Sequence, residues 1–269
     1  MAATDTAARR GSNDSRALSL TGAVLGEMLG TFIFVFSGTA TALGIDKLHP
    51  SPTFTPEADI AVSLAFAFGV VAAVYVFAEV SGAHINPAVT IALLITGEFP
   101  PLMAVPYIAA QFVGGILAAL ANWLIFGNTL RQALLLGSTH PGVGVGWGQA
   151  LFTEFVITAI LMMVVMATAI YKRSPGGGVT AGLGIGLWVG AAIFLALPVS
   201  GGSLNPARTI GPDIVSGQFP YWWVYLVGPI VGACFGAALW KFIVGKGVKE
   251  VVDLGLFGHR SPHRTGGDG

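Results

Sequence analysis

Charge is what this chain has least of. Of its 269 residues only 10% are Asp, Glu, Lys or Arg, whereas 54% are apolar and the mean hydropathy is +0.77. A water-soluble domain carries about 25% charged residues, so this scarcity excludes a soluble enzyme and predicts a polytopic membrane protein. The formal net charge is zero, so there is no electrostatic argument for nucleic-acid binding. A single cysteine, Cys234, rules out an internal disulfide and any thiolate cluster; it reads as a small apolar residue inside a span. The chain also lacks a Ser/His/Asp arrangement, a His/Cys metal spacing and a glycine-rich phosphate loop behind a strand. Neither an enzyme nor a cofactor is therefore expected. A signal peptide is not expected either, because the first apolar run is too long and no small-residue cleavage site follows it.

What the chain does have is long apolar runs. A helix needs about 20 apolar residues to cross a bilayer, and six stretches qualify: 17–44, 59–80, 102–127, 148–171, 179–198 and 221–244. Two further apolar stretches, 87–96 and 206–215, are about half that length. Each of these opens on the same tripeptide, Asn86-Pro87-Ala88 in SGAHINPAVT and Asn205-Pro206-Ala207 in SGGSLNPART. Asparagine caps the first free N–H groups of a helix and proline fits its first turn, so the pair predicts two half-helices. Alanine at the third position is small enough to let two helix ends touch. Polar backbone at membrane depth is tolerated only where it lines a cavity, so paired half-helices point to a pathway through the membrane.

The chain repeats itself. Asn205 follows Asn86 by 119 residues, YLVGPIVGACFGAAL resembles YIAAQFVGGILAAL, and FTEFVITAI parallels GEMLGTFIF, placing Glu154 opposite Glu27. Three spans per repeat is an odd number, so the second copy enters the membrane inverted. The expected organisation is a mobile tail over 1–16, a channel domain over 17–245 with repeats at about 17–127 and 148–244, and a second tail over 246–269. An even number of spans puts both termini on one side. That side holds Arg9, Arg10, Arg16, Lys172, Arg173, Lys241, Lys246, Lys249, Arg260 and Arg264, whereas the other holds Lys47 and Arg131. The excess of positive charge assigns the first side to the cytoplasm.

Two Asn-Pro-Ala motifs in repeat-equivalent positions, with the paired Glu27 and Glu154, resemble the signature of the aquaporin (major intrinsic protein) family over roughly 20–245. The resemblance implies an all-α membrane protein: a right-handed bundle of six transmembrane helices plus two re-entrant half-helices in an inverted 3+3 repeat. It implies a passive channel for water and small neutral solutes, a homotetramer with one pore per protomer, and the plasma membrane (the inner membrane in a bacterium). Helix N-termini carry about half a positive charge each, so two converging ends repel protons and cations while orienting water by its oxygen. Asn86 and Asn205 are expected to turn their amide N–H groups toward the passing solute.

Arg208, directly after the second motif, is the one basic residue at membrane depth, where a charge is costly and a functional site is the default reading. It resembles the arginine of the family's selectivity constriction; the plainer alternative is an ion pair with Asp213. Spacing from the motifs supplies the rest of the ring: Phe66, Ile193 and Gly202. Strict water channels place a histidine where Ile193 stands. Glycerol-selective members carry Trp and Phe in the ring and an aspartate after the arginine, where this chain has Thr209. The Tyr225-Leu226 pair is likewise mixed. The ring thus resembles an intermediate between water channels and aquaglyceroporins, unless Ile193 is misaligned by a residue or two.

Glu27 and Glu154 invite a rival interpretation as proton-relay groups of a coupled transporter. The resemblance instead makes them scaffolds that accept hydrogen bonds from the unwound backbone before each half-helix. His84 borders the cytoplasmic vestibule, where it could bind water, respond to pH or hold the loop, and Glu79 lies near the same entrance. Gly26, Gly30, Gly114, Gly115, Gly228 and Gly232 read as helix-crossing contacts.

Overall fold

The computed structural model describes residues 2–50, 55–172 and 177–253, with side chains over 20–50, 55–172 and 178–244. Eight α-helices make the bundle: α1 (Ala2–Leu48), α2 (Pro56–Ser81), α3 (Pro87–Ile95), α4 (Pro101–Ala133), α5 (Trp147–Val165), α6 (Ala181–Ala196), α7 (Pro206–Ser216) and α8 (Val224–Asp253). Among the described residues, six stretches are long and apolar enough to cross a membrane: Leu20–Leu48, Pro56–Ser81, Pro101–Ala133, Trp147–Ile170, Gly178–Ala196 and Val224–Val244. Helix α1 begins ahead of its apolar run and takes in the backbone of the segment expected as a tail. The C-terminal segment is helical to Asp253, and 254–269 lies outside the described residues.

Helix ends follow local chemistry. Thr55 caps α2 through its hydroxyl, which accepts from the Ala58 N–H at 3.3 Å, and Pro56 fills the first turn. Gly82 ends the helix in the left-handed region, φ 86°. Helix α4 breaks at Gly127, φ 82°, near the boundary expected at 127, and α5 finishes in a π-turn over Met166–Ile170.

The half-helices α3 and α7 hold 9 and 11 residues. At 1.5 Å per residue their combined length is about 30 Å, the thickness of the hydrocarbon layer. Placed end to end they do the work of one span, with its polar backbone gap in the middle. The surrounding helices pack closely around them. A Cβ at Gly114 would lie 2.2 Å from the Met28 carbonyl oxygen, and one at Gly232 would lie 2.3 Å from that of Phe155. These positions correspond in the two repeats, so the same backbone contact brings α1 to α4 and α5 to α8. Leu124, Val105, Phe152 and Leu187 remain exposed on the outside, as a bilayer-facing surface requires.

Candidate functional site

The two motifs meet in the middle of the bundle. Asn86 caps α3 by accepting from the Ala88 N–H at 2.9 Å, and Asn205 caps α7 by accepting from the Ala207 N–H at 2.9 Å. Each asparagine also reaches across to the other loop. Asn86 Nδ2 donates to the Leu204 carbonyl and Asn205 Nδ2 to the Ile85 carbonyl, both at 2.8 Å. The sequence expectation placed these amides toward the passing solute. In the structure one N–H of each braces the opposite loop, and only the second N–H remains for a solute. Pro87, Pro206, Ala88 and Ala207 are all buried at this junction.

The loops ahead of the caps are bent to present N–H groups to a buried acid. Ala83 and Ile85 (φ 47° and 46°) and Leu204 (φ 55°) occupy the left-handed region, as do Gly201 and Gly202. Such backbone costs a non-glycine residue on the order of 1–3 kcal/mol. The compensation is hydrogen bonding. Glu27 accepts from the His84 and Ile85 N–H groups (2.9 and 2.6 Å), the Ser81 hydroxyl (2.7 Å) and Gln111 Nε2 (2.8 Å). Glu154 accepts from the Ser203 and Leu204 N–H groups (both 2.8 Å) and the Ser200 hydroxyl (2.7 Å). Both carboxyls are completely buried, so without these donors each would carry a desolvation penalty of several kcal/mol. Tyr107 and Tyr225 complete the two brackets, donating to the Ser81 and Ser200 carbonyls at 2.8 Å.

On the side of the bundle where Lys172 lies, a cavity of about 390 Å³ leads to the motifs. Its walls are apolar, with Val70, Val89, Leu161 and Val189 among them; Glu79, His84, Asn86 and Asn205 supply polar groups. His84 Nδ1 lies 3.1 Å from the Thr90 hydroxyl, and its ring makes edge contacts with Phe99 and Tyr107 at 4.5 and 5.4 Å between centroids. None of the four residues expected to form a ring lines this cavity.

Those four lie beyond the asparagines and are buried. The Arg208 guanidinium carbon lies 4.8 Å from the centroid of the Phe66 ring. A Cβ at Gly202 would come within 3.0 Å of the Ile193 Cα, and Ile193 shares an apolar cluster with Phe66. Arg208 Nη1 donates to the Gly137 carbonyl at 2.6 Å, and its Nε has no partner among the described residues. No ion pair joins Arg208 to Asp213; one Asp213 oxygen accepts instead from the Ser138 hydroxyl at 2.5 Å. Thr209 faces away into a hydroxyl network with Thr139 and Ser203.

The roles of several participants escaped the sequence reading, which took Tyr225 only as one half of a mixed pair with Leu226. Ser81/Ser200 and Tyr107/Tyr225 occupy matching repeat positions, so the repeat itself carried a signal for them. Gln111 has Pro229 at its repeat position, Gly137, Ser138 and Thr139 lie between the repeats in no motif, and only the folded chain brings all four to the site.

The sequence profile described as Major intrinsic protein matches residues 14–240. A probable aquaporin AqpM of Archaeoglobus fulgidus is 40% identical, covering 81% of this chain and 94% of its own. A probable aquaporin TIP3-2 of Arabidopsis thaliana is 39% identical, covering 85% of both chains. The solved aquaglyceroporin of Plasmodium falciparum has a similar fold, with a TM-score of 0.70 at 22% identity over 87% of this chain and 99% of that one. With six bilayer-length helices and two half-helices joined at their asparagines, the chain is a multi-pass membrane protein and belongs to the major intrinsic protein family of channels.

Proposed function

We propose that the protein is a passive channel for water that also admits glycerol-sized neutral solutes and excludes protons and ions. The observation that carries this reading is the meeting of two half-helix N-termini at the head of an apolar cavity. Two positive helix ends oppose a cation there, while the free asparagine N–H groups offer donors to a water or hydroxyl oxygen. The buried Phe66, Ile193, Gly202 and Arg208 form the narrow filter beyond. Ile193 supplies an apolar wall on which a carbon backbone can lie while its hydroxyls meet Arg208. Glu27 and Glu154 act as loop scaffolds, since their oxygens are occupied by donors from the loops they support. That occupancy also argues against a proton-coupled transporter. His84 holds the vestibule loop through Thr90 and its two aromatic neighbours. The charge asymmetry supports cytoplasmic termini in a plasma membrane, and the family supports a homotetramer.

A second reading, a channel mainly for glycerol, is favoured by Ile193, which replaces the polar narrowing group of a strict water filter. Stopped-flow light scattering on proteoliposomes separates the two. Water-driven shrinkage well above protein-free vesicles, with slower glycerol re-swelling, fits the first reading, and glycerol re-swelling that keeps pace fits the second. No flux above the protein-free control refutes both. Ile193→His should then lower glycerol flux more than water flux, and an unchanged glycerol flux would remove Ile193 from the filter.

A further inference from the structure

We infer that Gly38, on α1 and outside every motif, sets the solute cutoff by fixing the depth of the Phe66 ring. This rests on the reading of Phe66 as part of the filter. Gly38 is buried, and a Cβ built on it would lie 2.2, 2.2 and 2.3 Å from Cγ, Cδ2 and Cδ1 of Phe66. Near-equal distances to those three atoms put the added carbon over the ring face, not its edge. The α1 backbone therefore fills one face of the ring, which leaves the other to the Arg208 guanidinium at 4.8 Å from the centroid. Phe34, one turn before Gly38, packs against the same ring at 5.4 Å between centroids. The ring is clamped between α1 and the arginine, and the absent side chain at 38 lets it sit back from the channel.

A methyl group at 38 needs about 3.5–4.0 Å of carbon–carbon separation, so the ring must move by more than about 1 Å. With α1 behind it and Phe34 beside it, the open direction is toward Arg208. A water is about 2.8 Å across by the usual 1.4 Å probe radius, so a shift of this size narrows the filter by a substantial fraction of one water. Glycerol is larger and loses more than water does. Gly38 thus acts through Phe66 as a positioning residue for selectivity.

The test is the ratio of glycerol to water permeability in proteoliposomes for wild type, Gly38→Ala, Phe66→Ala and the double variant. Gly38→Ala is expected to lower the ratio, because the over-packed ring must shift and the larger solute loses more of its passage. In the Phe66→Ala background, which removes all three ring atoms that the methyl group would meet, the same change should leave the ratio alone. An unchanged ratio in the single variant, or an equal fall in both backgrounds, overturns the inference. Should Gly38→Ala fail to assemble, the double variant must assemble and match Phe66→Ala; otherwise Gly38 acts elsewhere and the inference is overturned. A thermal-unfolding double-mutant cycle between positions 38 and 66 reads the contact without transport. Absence of coupling there overturns the inference by itself, whereas a wild type without flux overturns the channel reading.

Discussion

Replacing Asn205 with alanine separates two roles that a helix-capping asparagine can play. As a cap alone, Asn205 gives α7 the bond to the Ala207 N–H, and its loss costs about 1 kcal/mol. The structure adds the bond from Nδ2 to the Ile85 carbonyl. Asn205 is 2% exposed and Ile85 5%, so that carbonyl would be left buried without its donor, a further cost of about 1–3 kcal/mol. The expected loss is therefore about 2–4 kcal/mol. In a chain of this size each kcal/mol moves the midpoint of thermal unfolding by about 2–4 °C, which gives a drop of roughly 5–15 °C.

Tryptophan fluorescence during heating of the detergent-solubilised protein measures this directly. A drop of about 2–4 °C would mean that Asn205 only caps α7, and no drop would mean that it does neither. Asn86→Ala removes the corresponding pair of bonds and should cost a similar amount. The double variant should cost less than the two together, because both braces tie the same two loops and losing one already loosens the other. Full additivity would refute the brace while leaving the caps intact.

Two other positions give sharp expectations. Asp213→Ala removes the shorter of the two bonds that Ser138 makes, leaving it the Thr209 carbonyl at 3.4 Å, and so loosens the adjoining Gly137 carbonyl that holds Arg208; glycerol and urea permeability should rise relative to water, and an unchanged ratio would show that the turn holds itself. At the other end of the bundle Glu98 takes a hydrogen bond from Lys241 and then one from Tyr171, which hold its carboxyl below its ordinary value. Its contribution to stability is intact above the unfolded value of about 4.3 and is lost as pH falls through the lower folded value, so Glu98→Gln should flatten the acid limb of thermal stability. An equally steep limb in the variant would refute the assignment.

How much of this was legible in the sequence depends on distance along the chain. The half-helices were expected at 87–96 and 206–215 and lie at Pro87–Ile95 and Pro206–Ser216, because capping and proline geometry are local. The spans are likewise within a few residues of expectation except at α4, which continues past the Gly127 break to Ala133. That overrun places Arg131, whose guanidinium donates to the Val215 and Ser216 carbonyls at the C-terminal end of α7. No local pattern announces such a contact between residues 84 and 85 positions apart. The direction of the asparagine amides was similarly hidden. Capping fixes the side-chain oxygen, but the partner of the nitrogen belongs to the other repeat.

The repeat also explains why the two ends of the pathway differ. Each half builds the same bracket from a glutamate, a serine and a tyrosine, and if the halves were identical both mouths would be alike. The first half adds Gln111, which donates to Glu27 and to the Thr90 hydroxyl. The matching place in the second half, 118 residues on, is Pro229, which has no side-chain donor. Thr209 there takes its contacts from Ser203 and from Thr139, a residue of the connection between the repeats. The same connection supplies the Gly137 carbonyl to Arg208. This connection, whose Gly137 carbonyl reaches the second half while Leu136 packs on Leu43 and Ala119 of the first, backs the buried arginine, while the opposite mouth keeps its open cavity. On the proposed reading of the filter, a narrow end and a wide end therefore arise from a nearly twofold scaffold without any change to the junction at its centre.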